Sequence, residues 1–225
     1  LNFAHGDIIM LGAYALYTVL LSNGNPILGL ILAIVICTLS GIVIEKLAYK
    51  PLRGASPLAV LITAIGVSYF LQSIAQIVFG ATSHPVSLPS LGFLGIGNSQ
   101  ISMSTVVTLV VGALLMIALI LFIKHTKTGR AMLATSEDRD AARLMGVNVD
   151  RIIMLTFAIG SALAAFASLF YLMQIPSVSP TLGSMPGIKA FTAAVIGGIG
   201  SIPGAMLGGM LLGIVECFSN AVPAL

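Results

Sequence analysis

Long apolar segments alternate with short polar ones along the chain, and this alternation predicts membrane-spanning helices. A helix needs roughly 20 apolar residues to cross a bilayer. Four segments reach or approach that length, at residues 27–44, 58–79, 103–123 and 152–173. Residues 8–21 are too short alone, but residues 1–6 would extend them to a span. The pattern predicts an all-α, polytopic membrane helix bundle with about five full spans in one domain, residues 1–225.

The last apolar segment is interrupted in its middle. Residues 190–200 and 205–218 each look too short to cross, and the stretch Gly200–Gly204, GSIPG, is expected to break a helix. Non-helical backbone within a bilayer is tolerated where protein or a water-filled cavity surrounds it. The sequence therefore predicts either a broken or re-entrant Gly-rich helix pair near a translocation path, or one kinked span.

Composition and charge support a membrane protein and indicate its orientation. The chain is 58% hydrophobic and 8% charged, with a mean hydropathy of +1.10, which is too little polar surface for a soluble domain. Nine of the ten Lys and Arg residues lie in segments 45–57 and 124–151, which the positive-inside rule places in the cytoplasm. Lys189 is expected in an external loop. The basic residues flank spans beside lipid and form no stripe with interleaved aromatics, so no nucleic-acid partner is expected.

The charged segment 124–151 predicts a short amphipathic helix at 136–146 between two spans. Thr135 or Ser136 could cap its start, and Gly146 stands where a residue in the left-handed conformation often ends a helix. Glu137 and Asp138 would form an acidic first turn. Ala141, Leu144 and Met145 fall on an apolar side, and Glu137, Asp140 and Arg143 fall on a polar side. This pattern favours a helix that docks a partner, and a solvated loop is the alternative.

Small and polar residues inside the spans mark helix contacts or a pore. The third span carries a polar face that lipid would not favour, so we expect it to face other helices or a pore. Small residues on the fifth span and in the last segment allow helices to approach closely, and packing is their favoured interpretation. The candidate pore or helix-interface residues are Gly66, Tyr69, Gln72, Ser73, Gln76, Gly197, Gly200 and Gly204.

No motif for catalysis occurs in the chain. The patterns GxxxxGK[ST], GxSxG, HExxH and CxxC are absent, so we expect no enzyme activity and no ATPase site. His5, His84 and His125 are scattered without a metal-ligand spacing, and no metal site is expected. Asp7 and Glu216 are the acidic residues near membrane depth, and so few titratable groups disfavour proton coupling.

Four stretches carry a family resemblance. They are LNFAHGDIIMLGAY at 1–14, LAYKPLRGASPLAVLITAIGVSYFLQ at 47–72, the segment 128–168 that contains TSEDRDAARLMGV, and AAVIGGIGSIPGAMLGGMLLG at 193–213. Together they resemble the permease subunits of branched-chain amino acid ABC transporters, of the LivH type. The resemblance covers almost the whole chain. Because the family's chains are longer at both ends, the sequence looks like a fragment that lacks terminal spans.

The resemblance implies the membrane-spanning subunit of an ATP-driven importer for branched-chain or related small amino acids, in a bacterial or archaeal inner membrane. It implies three kinds of partner: a second homologous permease, two cytoplasmic ATP-binding cassette subunits and an external solute-binding protein. No cofactor is implied in this chain, since ATP and magnesium would bind the partner ATPase subunits.

The resemblance also makes residues 136–146 a coupling helix that transmits ATPase closure to the pore. The candidate coupling residues are Ser136, Glu137, Asp138, Arg139, Ala141, Ala142, Leu144, Met145 and Gly146. The alternative function is a gradient-driven secondary transporter or channel for small solutes, motivated by the interrupted last segment and the polar face of the third span. A membrane scaffold that recruits a partner through its charged loop is a third possibility.

Overall fold

The computed structural model describes residues 3–89, 92–96 and 99–221, and it is a helical bundle. Its helices are α1 (His5–Leu21), α2 (Pro26–Ile44), α3 (Pro57–Phe79), α4 (Met103–His125), α5 (Lys127–Glu137), α6 (Arg139–Leu144), α7 (Val149–Gln174), α8 (Ser184–Gly197) and α9 (Ile202–Ala221). A π-helical turn, Glu45–Tyr49, and a 3₁₀ turn, Lys50–Leu52, extend α2. Short strands are β1 (His84–Pro85), β2 (Phe93–Ile96), β3 (Ser99–Ser102) and β4 (Ser177–Val178).

Five helices in the described part of the chain are long and apolar enough to cross a membrane, which confirms the all-α polytopic class. They are Pro26–Leu52, Pro57–Phe79, Met103–His125, Val149–Gln174 and Ile202–Ser219. The first four match predicted spans, whereas α1 is a shorter apolar helix. The fifth of these helices, Ile202–Ser219, is long enough to span, so the prediction that residues 205–218 are too short to cross was wrong. Pro203 lies in the first turn of α9, where its missing N–H breaks no hydrogen bond of the helix, so α9 begins at Ile202.

The C-terminal segment is an antiparallel helix pair, so the single kinked span is wrong and the broken pair is confirmed. The turn at 198–201 contains two glycines with φ of 91° and 95°, a conformation that reverses the chain. α8 and α9 then pack closely. A Cβ built on Gly197 would lie 2.0 Å from the Gly204 carbonyl oxygen, so glycine permits this approach.

α1 lies at the centre of the bundle and packs against α2, α7 and α8. Its side chains Ile8, Met10 and Leu16 are fully buried in the main apolar core. Small residues bring the neighbouring helices close, because a Cβ on Gly12 would lie 2.7 Å from the Ser168 Oγ atom of α7. The packing role predicted for the small residues of the fifth span is therefore present at Ser168.

The two basic segments meet at one end of the bundle, called here the basic end. Arg53 donates to the carboxylates of both Glu45 and Asp150, and Lys50 lies 3.2 Å from Asp150. At the opposite end β1 pairs with β4, and the His84 ring stacks on Tyr17 at 5.2 Å. Both positively charged loops therefore share one end, as the positive-inside pattern predicted.

Candidate functional site

The predicted helix 136–146 is two helices with a sharp break between them. Asp138 has extended backbone angles, φ −148° and ψ 115°, and it begins α6. Ser136 and Thr135 lie in the last turn of α5, where their hydroxyls donate to the carbonyls of Leu133 and Ala131. The cap predicted at Thr135 or Ser136 is therefore wrong, because both hydroxyls already serve the preceding helix.

Asp138 caps α6 with its carboxylate. One carboxylate oxygen accepts from the backbone N–H groups of Asp140 at 2.8 Å and Ala141 at 3.0 Å. The N–H groups of Ala141 and Asp140, in that order of effect, lower the pKa of Asp138 below its ordinary value, because they bind the charged form. Two of the unpaired donors at the start of the helix are thereby satisfied.

Gly146 ends α6 as the sequence predicted. Its φ is 81°, and the N–H of Val147 donates to the Ala142 carbonyl at 3.0 Å. This arrangement satisfies carbonyls of the last turn. Asn148 then begins α7, since its side chain accepts from the Arg151 N–H at 3.1 Å.

The surface of α6 differs from the predicted amphipathic pattern. Ala142 is the buried residue of this helix, whereas Leu144 and Met145 are 90% and 84% exposed. Glu137 belongs to α5, so it does not share a helix with Asp140. We call the exposed pair Leu144 and Met145 the loop tip. Apolar side chains this exposed at the end of a charged loop are available to a partner.

Other predicted coupling residues lie around the loop tip. Glu137 and Ala141 are exposed, and Arg139 reaches the rim of a cavity inside the bundle. The structure thus places these residues on either side of the break between α5 and α6, at the basic end. Their role in coupling stays a prediction.

The polar face predicted on α3 divides into an outward part and an inward part. Gly66, Tyr69, Ser73 and Gln76 are exposed on the outside of the chain, and Gln72 is buried. The glycines of the last segment serve the helix pair: Gly197 and Gly204 pack against each other, and Gly200 lies in the turn. A pore role for any of these residues stays a prediction.

A buried polar cluster joins three helices, and sequence reasoning did not find it. Asp7 of α1 is 1% exposed and accepts from the Ser68 hydroxyl and from the Gln72 amide at 3.0 Å. The same amide lies 3.3 Å from the Ser184 hydroxyl at the start of α8. The signal in the sequence was the pair Ser68 and Gln72, one helical turn apart on an apolar helix.

A cavity of about 1060 Å³ opens between α1, α3, α7 and α8. Arg53 and Arg139 lie at its rim on the basic end, and Phe3 and Phe191 lie deeper. Between them the walls are mainly apolar. An apolar cavity with a few polar groups is the usual form of a small-molecule site.

Apolar spans, a broken helix pair, a polar cluster inside the bundle and a mainly apolar cavity define a multi-pass membrane protein. Comparison with known sequences identifies its family. The family described as the permease component of branched-chain amino acid transport systems matches residues 1–224. The chain therefore belongs to this family of ABC transporter permeases.

Individual relatives agree with this assignment. The chain is 42% identical to the high-affinity branched-chain amino acid transport system permease protein LivH of Escherichia coli strain K12, over 98% of this chain and 76% of the relative. It is 43% identical to the permease BraD of Pseudomonas aeruginosa, over 99% of this chain and 77% of the relative. It is 33% identical to a probable LivH permease of Methanocaldococcus jannaschii, over 96% and 70%. No solved structure matches the chain.

Proposed function

We propose that this chain is the membrane-spanning permease subunit of an ATP-driven importer for branched-chain amino acids in a bacterial or archaeal inner membrane. In this proposal the chain has no ATPase site of its own. ATP and magnesium bind two cytoplasmic cassette subunits, a second homologous permease completes the path, and an external binding protein delivers the solute. The named solutes of the relatives support the substrate class. The observation that carries the proposal is the capped, exposed loop tip at the basic end.

The connections of the loop tip supply a route from a partner to the core. α6 is short and capped at both ends, so a partner that displaces Leu144 is expected to move the whole helix. Asn148 couples its end directly to α7, which packs along α1 and α2. ATP binding would close the cassette subunits, draw the loop tip with them, and shift α7 against α1. Such a shift switches the path between outward and inward access.

The test is solute uptake by the complete complex in sealed vesicles. One arm supplies ATP to the cassette subunits together with the binding protein, and the other imposes an ion gradient with ATP removed. The proposal expects leucine uptake in the first arm and none in the second. Uptake driven by the gradient alone would contradict it and leave α6 without a coupling role.

A second candidate function, a gradient-driven transporter, has one observation in its favour. Asp7 is a titratable group buried inside the bundle, and such groups carry protons in many transporters. The variant Asp7→Asn keeps the shape and an acceptor oxygen but cannot ionise. The ATP-driven proposal expects this variant to retain most ATP-dependent uptake. Proton coupling predicts that gradient-driven uptake exists in the parent protein and disappears in Asp7→Asn.

A further inference from the structure

An ion pair bridges the two helices of the C-terminal pair. The ammonium group of Lys189 on α8 lies 2.6 and 2.8 Å from the two carboxylate oxygens of Glu216 on α9. Lys189 is therefore part of a helix, and the external loop position expected from the sequence was wrong. The two residues are 27 positions apart, and the helix pair brings them together.

This ion pair lies far from the start of α9, where a turn joins α9 to α8. Glu216 follows Ile202 by fourteen residues, which corresponds to about 21 Å along the helix at 1.5 Å per residue. The other partner begins deep as well, because α8 starts at Ser184 beside Gln72 of α3, within the polar cluster. The pair therefore lies at membrane depth, where an ionised side chain is unfavourable unless protein or water surrounds it.

Both side chains remain accessible. Lys189 is 43% exposed and Glu216 is 48% exposed in the chain. Lipid on that surface would leave two charged groups half covered by hydrocarbon, which is strongly unfavourable. A water-filled path satisfies the exposed parts of both groups.

We propose that Lys189 and Glu216 form a recognition site for the zwitterionic backbone of an amino acid within the translocation path. The inference rests on the proposed function and deepens it. Lys189 binds the α-carboxylate of the solute and Glu216 binds its α-ammonium group. The two side chains pair with each other when the site is empty, so neither charge is left without a partner.

The chemistry of the site matches a branched-chain amino acid in two respects. First, the site and the solute are each neutral overall, so exchanging the internal pair for two solute contacts moves no net charge into the membrane. Second, an exposed apolar side chain lies beside the pair. Met185 lies one turn before Lys189 on the same face of α8 and is 63% exposed. This side chain can cover the apolar side chain of the solute.

The experiment compares transport with ATP hydrolysis in the complete reconstituted complex. Lys189→Met and Glu216→Gln are made singly and together, and radiolabelled leucine uptake is divided by binding-protein-stimulated ATP hydrolysis. Each single variant is expected to lower this ratio about tenfold, the size expected for losing one charge-assisted hydrogen bond. The double variant is decisive. It leaves no unpaired charge, so it should fold and hydrolyse ATP, yet its ratio should stay as low as in the single variants.

A structural role gives the opposite result for the double variant. If the ion pair only joins the helices, or is covered by the second permease, removing both charges restores the ratio to that of the parent protein. That recovery would overturn the inference. Cys217→Ser is the matched control, because it changes the exposed residue next to Glu216 without touching the pair. Absence of ATP-dependent uptake in the parent complex would contradict the proposed function. A restored ratio in the double variant would contradict only the recognition site.

Discussion

The backbone angle at Gly146 is the feature that ends α6. Its φ of 81° lies in the left-handed region, which β-branched residues rarely adopt. No heavy atom lies within 4 Å of a Cβ built there, so the restriction is conformational and not one of space. A substitution at this position should therefore change the geometry of the loop tip without disturbing the core.

Gly146→Val is expected to uncouple ATP hydrolysis from transport. The strain of about 1–3 kcal/mol favours another backbone conformation and displaces Leu144 and Met145. Leucine uptake per ATP should fall while ATP hydrolysis persists, measured in proteoliposomes with the binding protein. Gly112→Val is the control, since Gly112 lies on α4 with equal space and without a positive φ. An unchanged ratio in Gly146→Val would remove this glycine from the coupling argument.

The cap at Asp138 predicts a dependence on pH. Its pKa is lowered in the folded protein by the N–H groups of Ala141 and Asp140, so the carboxylate's contribution to α6 is fully present above the ordinary aspartate pKa. That contribution is lost as the pH falls through the lowered value. Hydrogen exchange at residues 139–144, compared at equal acidic pH, should be faster in the parent than in Asp138→Asn. Equal rates would show that the cap does not titrate.

At the scale of elements, the helix pair α8–α9 depends on glycines at its contact. Gly197→Ala should separate the helices and destabilise the protein by about 1–3 kcal/mol, because the new Cβ meets backbone and no flexible side chain. Thermal unfolding in nanodiscs measures the effect. Gly213→Ala on α9 is the control, since its Cβ has open space. Equal midpoints for the two variants would contradict the close packing.

The sequence predicted the elements that depend on local pattern. Apolar length located four of the spans, and the position of Gly146 gave the end of α6. The prediction from sequence failed where the local structure depends on residues that are distant in the chain. Hydroxyls and carboxylates follow one another at 135–138, and the position of α5, in which Thr135 is buried, selects Asp138 as the cap.

The candidate sites show the same limit more strongly. Asp7 and Gln72 are 65 residues apart, and no periodicity links them. Lys189 looked like a loop residue because a charge interrupts an apolar segment, and its partner becomes visible only when α8 and α9 are antiparallel. Contacts between elements carry these sites, whereas hydrophobic patterning reports on one element at a time.

At the scale of the whole molecule, much of the helical surface remains uncovered by this chain. In α4 no residue is buried, and α3 presents Tyr69, Ser73 and Gln76 outward. Apolar side chains suit lipid, but the polar face of α3 does not. In the proposed importer, that face is where a second permease or a watery path would lie.

Reaction with a water-soluble thiol reagent tests this arrangement. In a Cys217→Ser background, Ser73→Cys should react faster than Ile74→Cys in the assembled complex. Ile74 lies at nearly the same depth but about 100° around α3 from Ser73, off the polar face, and it is 39% exposed, so it should face lipid. A difference of about tenfold or more is expected if lipid excludes the charged reagent from one site. Comparable rates would place the polar face in lipid and contradict the proposed assembly.

Arg53 gives the basic end a property that follows from its two partners. Glu45 belongs to the same continuous helical segment as α2, whereas Asp150 lies in the first turn of α7. If α7 moves with α6, the contact to Asp150 can break while the contact to Glu45 stays. The guanidinium would never lose its compensating charge, so the rim of the cavity could part and rejoin without a large electrostatic barrier. The contact between α7 and the end of α2 at the basic end can therefore open and close reversibly at low electrostatic cost.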